Sequence, residues 1–567
     1  MFVHSPLQFK LSTSRTIKAS WSLNTQKPQT QNIQEDENYP KMCSKVGKVT
    51  KDQIRKQLKK LKPYKAPGPD GIPNIVLTKN TDILIDRLHP IYAAMLDKNL
   101  HYDPWKTFTT VVLRKPGKPH YDVLKAYHPI VLLNTMWKVL TAIVADQITF
   151  LTEKYQLLPK NHFGGRPGRT TTDAMHLLTL RIKGAWHAGK VAMVLFLDIK
   201  GAFPNAVPER LIHNLRKRGI PRKYTKFMEN MLWGRVTTLK FDGYSLAPIH
   251  IDNGIGQGDL LSMIMYQYYN TNLLDIPNNK DEDAMAFVDN SFMLAIVDTF
   301  KEAHEILADM MGREGGVTEW SSTHNSPLEY SKLALMDFAH VQSQKTRPLL
   351  QLPQRTVKPV ISTKYLRVFF DQNLNWKAQQ AHAVKKGTQW AVQIRRIAKQ
   401  TWGITPKYAR RLYISVALPR ALYAIDLWCM PTQSDHPGLR AIGSAKVTRQ
   451  LTTLQCTAAT AITGGLCTSP TDSLNACAFL LPSPLNIDKC CHRALTRMAT
   501  LPKEHPLHSA VNRKNTRDVV HHRMAIYHLL DRYQKSIVPR EIEKIPATSR
   551  NPINTAKSPS AISIPED

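Results

Sequence analysis

"DEDAMAFVDNSFMLAIV", residues 281–297, sets two apolar runs on either side of a two-residue step at Asp289-Asn290. The runs read as strands, and Asx residues tolerate the positive φ of a tight turn, so the stretch predicts a β-hairpin with an acid at its tip. A second acid stands in the same way. In "KVAMVLFLDIKGAF", residues 190–203, a near-continuous apolar run from Val191 to Leu197 ends in Asp198. Such a run suits a strand buried on both faces. A lone strand-end aspartate is commonly no more than a turn cap. Two of them on neighbouring strands would bring two carboxylates to one sheet edge, where desolvation calls for a cation. Two hard oxygen ligands suit magnesium completed by substrate phosphates. The chemistry implied is in-line displacement at phosphorus, one metal on the attacking oxygen and one on the leaving oxygen.

The bulk numbers agree with a phosphate-bearing partner. Lys and Arg number 77 against 44 Asp and Glu, a formal charge of +33, which points to nucleic acid or an anionic membrane surface. No run of 18 or more apolar residues is present, so no segment is expected to span a bilayer. The basic, hydroxyl-rich N-terminus lacks the apolar core of a secretory signal. Six of the seven cysteines lie between Cys429 and Cys491 with no CxxC pair, which argues against a zinc finger or a disulfide scaffold and for buried thiols in a reducing compartment. An intracellular chain is expected, in cytoplasm and nucleus.

At 567 residues the chain is long enough for several packed units. Residues 1–45 are polar and turn-rich and read as disordered. In "KVTKDQIRKQLKKLKPYK", Thr50 is placed to cap a helix with Ile54, Leu58 and Leu61 on one stripe, and "APGPDGIP" breaks it. Helices and short strands alternate from roughly 80 to 340, the look of an α/β or α+β domain. From 376 to 536 the pattern is mostly helical. Residues 537–567, punctuated by proline and serine, read as a disordered tail. Between Lys377 and Arg411 there are nine Lys or Arg and no acid, Lys385, Lys386, Arg395 and Arg396 among them, with Trp390, Trp402 and Tyr408 interleaved. This stripe suits a phosphate backbone, with core packing the competing role for the tryptophans.

Seven blocks occur in order: "KAPGPDGIP", "KAYHPIVLLNT", "FLDIKGAFPNA", "GIGQGDLLSM", "AFVDN", "HNSPLEYSKLALMDF" and "KYLRVFFDQNLNW". Together they resemble the reverse transcriptase of non-LTR (LINE-type) retrotransposons, most like fungal elements, over about residues 46–545. The resemblance implies an α+β right-hand polymerase fold, with fingers and an antiparallel palm sheet at 46–375. A helical thumb and C-terminal extension would occupy 376–536. It implies RNA-directed DNA polymerase activity with an RNA template, a DNA primer, dNTPs and Mg2+, or Mn2+ in its place. By the same resemblance Asp198 and Asp289 would hold metal, with Asn290 beside them. Phe203 would be the gate that excludes a ribose 2′-hydroxyl. Gln257 and Gly258 would line the nucleotide pocket, Lys332 would assist the leaving pyrophosphate as an acid, and "YLRVFF" would be the primer-grip hairpin.

Four positions depart from the family pattern. Its second turn acid is Asn290, its triphosphate-binding arginine is His128, a proline is Leu260, and a hairpin glycine is Arg367. Asparagine retains a carbonyl oxygen but no charge. Histidine lacks arginine's planar fork of donors. The departures lead to the expectation of an impaired polymerase, or alternatively a degenerate copy that only binds nucleic acid. Neither an endonuclease nor a ribonuclease H block is recognised, so neither activity is expected, and a separate element-encoded endonuclease would be a partner.

Overall fold

The computed structural model describes residues 38–44, 46–117, 120–121, 126–256, 258–339, 347–398, 402–432, 443–513 and 524–548. Gln257 lies outside the described residues.

The fingers contain α1 (Lys51–Lys60), α2 (Thr81–Asp97), β1 (Thr107–Arg114), β2 (Tyr127–Leu132) and α3 (Thr135–Lys154). The palm follows with α4 (Thr171–His187), β3 (Val191–Asp198), α5 (Pro208–Lys217) and α6 (Arg222–Leu232). After it come β4 (Arg235–Phe241), β5 (Tyr244–Ser245), β6 (Ile249–Ile251) and α7 (Leu260–Asn270). The palm hairpin is β7 (Glu282–Phe287) and β8 (Asn290–Val297), followed by α8 (Phe300–Gly312) and β9 (Ala334–Phe338). Two small hairpins close this part, β10 (Leu350–Leu352) with β11 (Arg355–Val357), and β12 (Ser362–Tyr365) with β13 (Val368–Asp371). The long C-terminal helices are α9 (Lys377–Ile397), α10 (Ala445–Thr463), α11 (Ser483–Ala499) and α12 (Ala525–Tyr533).

The palm sheet has the order β7-β8-β3-β9, antiparallel throughout. Its strand β3 is apolar from Val191 to Leu197 because both faces are covered. Met193, Leu195 and Leu197 join the core that holds α5, α7 and α8, while Ala192, Val194 and Phe196 join the core shared with α4 and the C-terminal helices. Burying each of the larger side chains stabilises by about 1.5–3 kcal/mol, so a charge on either face is excluded and Asp198 falls where the strand leaves the sheet. The fingers sheet runs β2-β1-β4-β5, with β6 on β4, and joins β1 to β4 in parallel.

Helix α1 starts at a full capping box. The Gln53 amide donates to Thr50 Oγ1 at 3.2 Å and the Thr50 amide to Gln53 Oε1 at 3.0 Å. Of its stripe, Ile54 and Leu58 are fully buried, and Leu61, the residue that ends the helix, is half-buried. A second box begins α4, where Asp173 caps the Thr170 amide at 2.9 Å. Asp173 is wholly buried and also receives both guanidinium nitrogens of Arg497 from α11, one at 3.0 Å. A buried His176–Asp426 contact at 2.8 Å ties the same palm helix to the C-terminal helices again.

Three details differ from the sequence expectations. Residues 38–44 and 537–548 make specific contacts: the Cys43 amide donates to the Gly219 carbonyl at 3.0 Å, and the Ile545 amide to that of Thr500 at 2.8 Å. Composition does not register such local docking. The seven cysteines are all free, but Cys467 and Cys477 are exposed rather than buried. Trp402 is 63% exposed, while Trp390 is half-buried beneath the Arg420 guanidinium.

Candidate active site

Asp198 ends β3 and pairs in register with Asn290, the first residue of β8. Phe287 pairs with the same Asn290 across the hairpin, so the two turn residues are Val288 and Asp289. This corrects the expected step by one position. The positive φ, 57°, falls on Val288, not on an Asx residue. A β-branched side chain in that region is strained, and such strain persists only where surrounding contacts hold it.

Those contacts are present. The Asn270 side-chain amide donates to the Val288 carbonyl, and its own Oδ1 meets His162 Nε2 at 2.9 Å. Segment 161–163 pairs with β7, the Phe163 amide donating to the Ala286 carbonyl at 2.9 Å. Gly164 lies so close behind the turn that a Cβ there would sit 2.4 Å from Val288 Cγ2 and 2.6 Å from its amide nitrogen. Gly165 has φ +71 and lies against Gln267. None of these supports was singled out from the sequence, although the Gly-Gly doublet in "HFGGR" and the polar Gln267 and Asn270 on buried α7 were the available signals.

Asp289 is accessible to solvent, yet the protein around it desolvates its carboxyl and pushes it above the ordinary aspartate range, with the Asp198 charge adding to the effect. The Asn290 side-chain amide donates to Asp289 Oδ1 at 2.9 Å. Asn290 therefore spends one N–H on the neighbouring acid and brings a neutral carbonyl oxygen in place of a charge. Lys332, 134 positions from Asp198 in sequence, donates to Asp198 Oδ2 at 2.6 Å. It arrives there because segment 327–329 pairs with the end of β3, the Glu329 amide on the Asp198 carbonyl at 2.9 Å and the Lys200 amide on that of Pro327.

Phe203 stacks on Tyr266 of α7, ring centroids 4.8 Å apart and planes at 21°. Tyr266 is fully buried, and its hydroxyl has no hydrogen-bond partner among the described residues. Burial first and Asp289 second raise its pKa. Gly258 has φ +129, and a Cβ there would meet the Val131 carbonyl at 2.9 Å, so the glycine loop rests on β2. His128 lies exposed on that same strand, paired with Leu113 of β1. Lys385, Lys386, Arg395 and Arg396 are exposed on α9. The sequence-predicted residues thus divide into a cluster of Asp198, Asp289, Asn290 and Lys332, a neighbouring aromatic pair at Phe203, and a fingers edge at His128 and Gly258.

The donor set suits a hard divalent cation that keeps open positions for phosphate: two carboxylates and one amide oxygen, with an ammonium already neutralising one carboxylate. No cluster of three or more His, Cys, Asp or Glu occurs among the described residues, so the protein alone does not build a closed metal cage. No helix among the described residues is long and apolar enough to cross a membrane.

Residues 113–319 match the family described as Reverse transcriptase (RNA-dependent DNA polymerase). The chain is 21% identical over 406 residues to the probable RNA-directed DNA polymerase from transposon BS of Drosophila melanogaster, covering 71% of this chain and 44% of that one. It is 25% identical over 399 residues to the probable RNA-directed DNA polymerase from transposon X-element of the same organism, covering 68% and 42%. The chain therefore spans less than half the length of these curated relatives. Apo telomerase from Candida tropicalis, truncated from its C-terminal domain, aligns at 10% identity and a TM-score of 0.34 over 48% of this chain and 54% of that one.

Proposed function

We propose that the chain is a LINE-type reverse transcriptase that adds deoxynucleoside monophosphates to the 3′-hydroxyl of a primer on an RNA template, a reading supported by the reverse transcriptase match at residues 113–319 and by the transposon polymerases it resembles. The observation that carries this reading is the meeting of Asp198 and Asp289 at one edge of the palm sheet, close enough that one charge raises the pKa of the other. Magnesium, or manganese in its place, supplies positive charge to the triphosphate and acidifies the primer hydroxyl when bound by these two carboxylates.

The residues contribute the rest. The primer hydroxyl gives its proton to water as its oxygen bonds the α-phosphorus and the bond to pyrophosphate breaks, and Lys332, released by Asp198, gives a proton to the leaving oxygen. The face of Phe203, backed by Tyr266, limits the room at the sugar 2′ position. His128 offers a donor to the triphosphate, and Gln257 and Gly258 flank the nucleotide. Lys385, Lys386, Arg395 and Arg396 neutralise the phosphates of the template and primer. The site of action is inside the cell.

A second reading has its own support. Asn290 brings no charge, and removing one preorganised electrostatic partner slows chemistry by about 10²–10³-fold. In that reading the chain binds nucleic acid but scarcely extends it. Primer extension on an RNA template, with Mg2+ and then Mn2+, separates the two. Extension that is abolished by Asp198→Ala supports the polymerase. Silence in the native chain with activity in Asn290→Asp supports the disabled copy. Silence in all three chains overturns the polymerase reading.

A further inference from the structure

Away from the catalytic edge, a cleft of about 770 Å³ opens between α1, the C-terminal end of α3, the loop into α4 and segment 545–548. A smaller one of about 350 Å³ continues it past Arg169. Its acids are largely spoken for. Glu153 takes the buried Arg166 in a two-point pair, at 2.6 and 3.0 Å. Asp146 is shared by Lys56 at 3.4 Å, Lys60 at 3.5 Å and the Gln57 amide at 2.8 Å. Arg497 is held by Asp173 behind the wall. Glu504 stands as the opposing charge at the rim.

Three cations on the linings of the joined clefts, Lys154, Lys160 and Arg169, make no ion pair among the described residues. Lys154 is exposed and lies near the Phe150 and Tyr155 rings, 5.8 and 5.2 Å from their centroids. Arg169 donates only to backbone carbonyls, those of Lys160 and His162, and lies over the Phe163 ring at 5.4 Å. Burial first and Arg166 second lower the Arg169 pKa to about 9, against the opposing pull of Glu153 and Asp173. An anion in the cleft offsets the effect of that burial.

We infer that this cleft binds the phosphate backbone of single-stranded RNA, as a contact separate from the α9 stripe; the inference rests on the proposed polymerase function for its choice of ligand. A polymer fits better than a mononucleotide because the cations continue along two joined clefts. A single strand fits better than a duplex because segment 545–548, anchored by Ile545 to the Thr500 carbonyl and by Lys544 to that of Ala499 at 2.7 Å, forms a fixed wall on one side of the cleft. Phe150 adds an aromatic wall, the partner that bases stack on in sequence-tolerant single-strand binding. The cleft also communicates with the catalytic turn through one short loop: Gly164 backs Val288, and Arg169, five residues on, lines the cleft.

The test is fluorescence anisotropy of a labelled, unstructured oligouridylate with the full chain across a KCl series. K60Q/K154Q, with both sites exposed and folding checked by thermal melting, is compared with K385Q/K386Q. We expect K60Q/K154Q to weaken binding about tenfold and to lower the salt slope by roughly 1.4, the release expected for two phosphate contacts on a single strand. The thumb pair should weaken binding independently, so that the combined losses multiply. Native affinity and slope in K60Q/K154Q, with binding lost in K385Q/K386Q, overturns the cleft and leaves the polymerase reading standing. No binding by the native chain overturns both. Displacement of the RNA by polyglutamate from the native chain but not from K60Q/K154Q makes an acidic polypeptide the occupant and overturns the RNA assignment.

Discussion

Four hairpins among the described residues turn in two residues, and two of them, β7–β8 and β12–β13, place left-handed backbone on residues that are neither glycine nor Asx. At β7–β8 the positive φ falls on Val288 alone. At β12–β13 both turn residues take it, Leu366 at 45° and Arg367 at 70°. The Val288-Asp289 turn is supported from behind by Asn270, Gly164 and the paired segment 161–163. The second turn has a hydrogen bond from the Tyr423 hydroxyl to the Leu366 carbonyl at 3.2 Å, and Arg367 itself is exposed. Strain at the first turn is therefore held by tertiary structure, whereas at the second it is borne by the backbone with little support. A turn that must keep an acid fixed is built differently from one where a glycine would serve as well.

The largest test of this contrast is Gly164→Ala. No positive φ is recorded at Gly164, so alanine costs nothing in backbone conformation, and the clash with Val288 is the whole effect. Overpacking of this kind costs about 1–3 kcal/mol. If the turn shifts by an ångström, extension falls by up to about 10²-fold. Gly184→Ala on α4, where a Cβ meets open space, is the control and should melt no lower than the native chain. Equal melting and extension in both variants would remove the claim that the catalytic turn is held from behind.

Arg367→Gly should act in the opposite direction. Left-handed backbone costs an ordinary residue about 1–2 kcal/mol, partly offset by the unfolded-state freedom of glycine. A rise in Tm of about 1–2 °C is expected. A fall would mean that the arginine side chain holds the hairpin in a way its exposure does not suggest.

The smallest effect is the pH dependence of Asp289. Its carboxyl titrates above the ordinary range, so the folded chain binds the proton more tightly than the unfolded one. The stability from that group is present below the unfolded aspartate pKa and is lost as pH rises through the folded value. Asp289→Asn should therefore melt higher than the native chain at pH 7, by less than about 2 °C because solvent screens the group. The gap should close below about pH 4. A gap that widens on acidification would reverse the sign of the electrostatics at the site.

Much of the palm was legible in the residues. An apolar run without alternation marks β3 because both faces are buried, and the acid at its end has nowhere else to go. Thr50 with Gln53 marks the start of α1, since a capping box is a local pattern. The register of the catalytic turn was not legible. Local chemistry favours Asp289-Asn290 for the positive φ, and contacts from Asn270 and Gly164 override it in favour of Val288. The salt bridge from Lys332 to Asp198 spans 134 residues and has no local signature, although the resemblance had named both residues. The basic stripe on α9 was visible from composition, while the exposure of Trp402 within the same region depended on packing that no short stretch encodes.

Asp173 carries a consequence for how the chain is made. It caps a palm helix, yet its buried charge is met by Arg497, 324 residues later. A carboxylate left buried without its partner costs about 3–5 kcal/mol. At a synthesis rate of about 5–20 residues per second, the palm, finished at Phe338, waits roughly 8–32 s on the ribosome before that arginine has been translated. For that interval the nascent palm is complete in sequence but not in charge, and its maturation waits on α11.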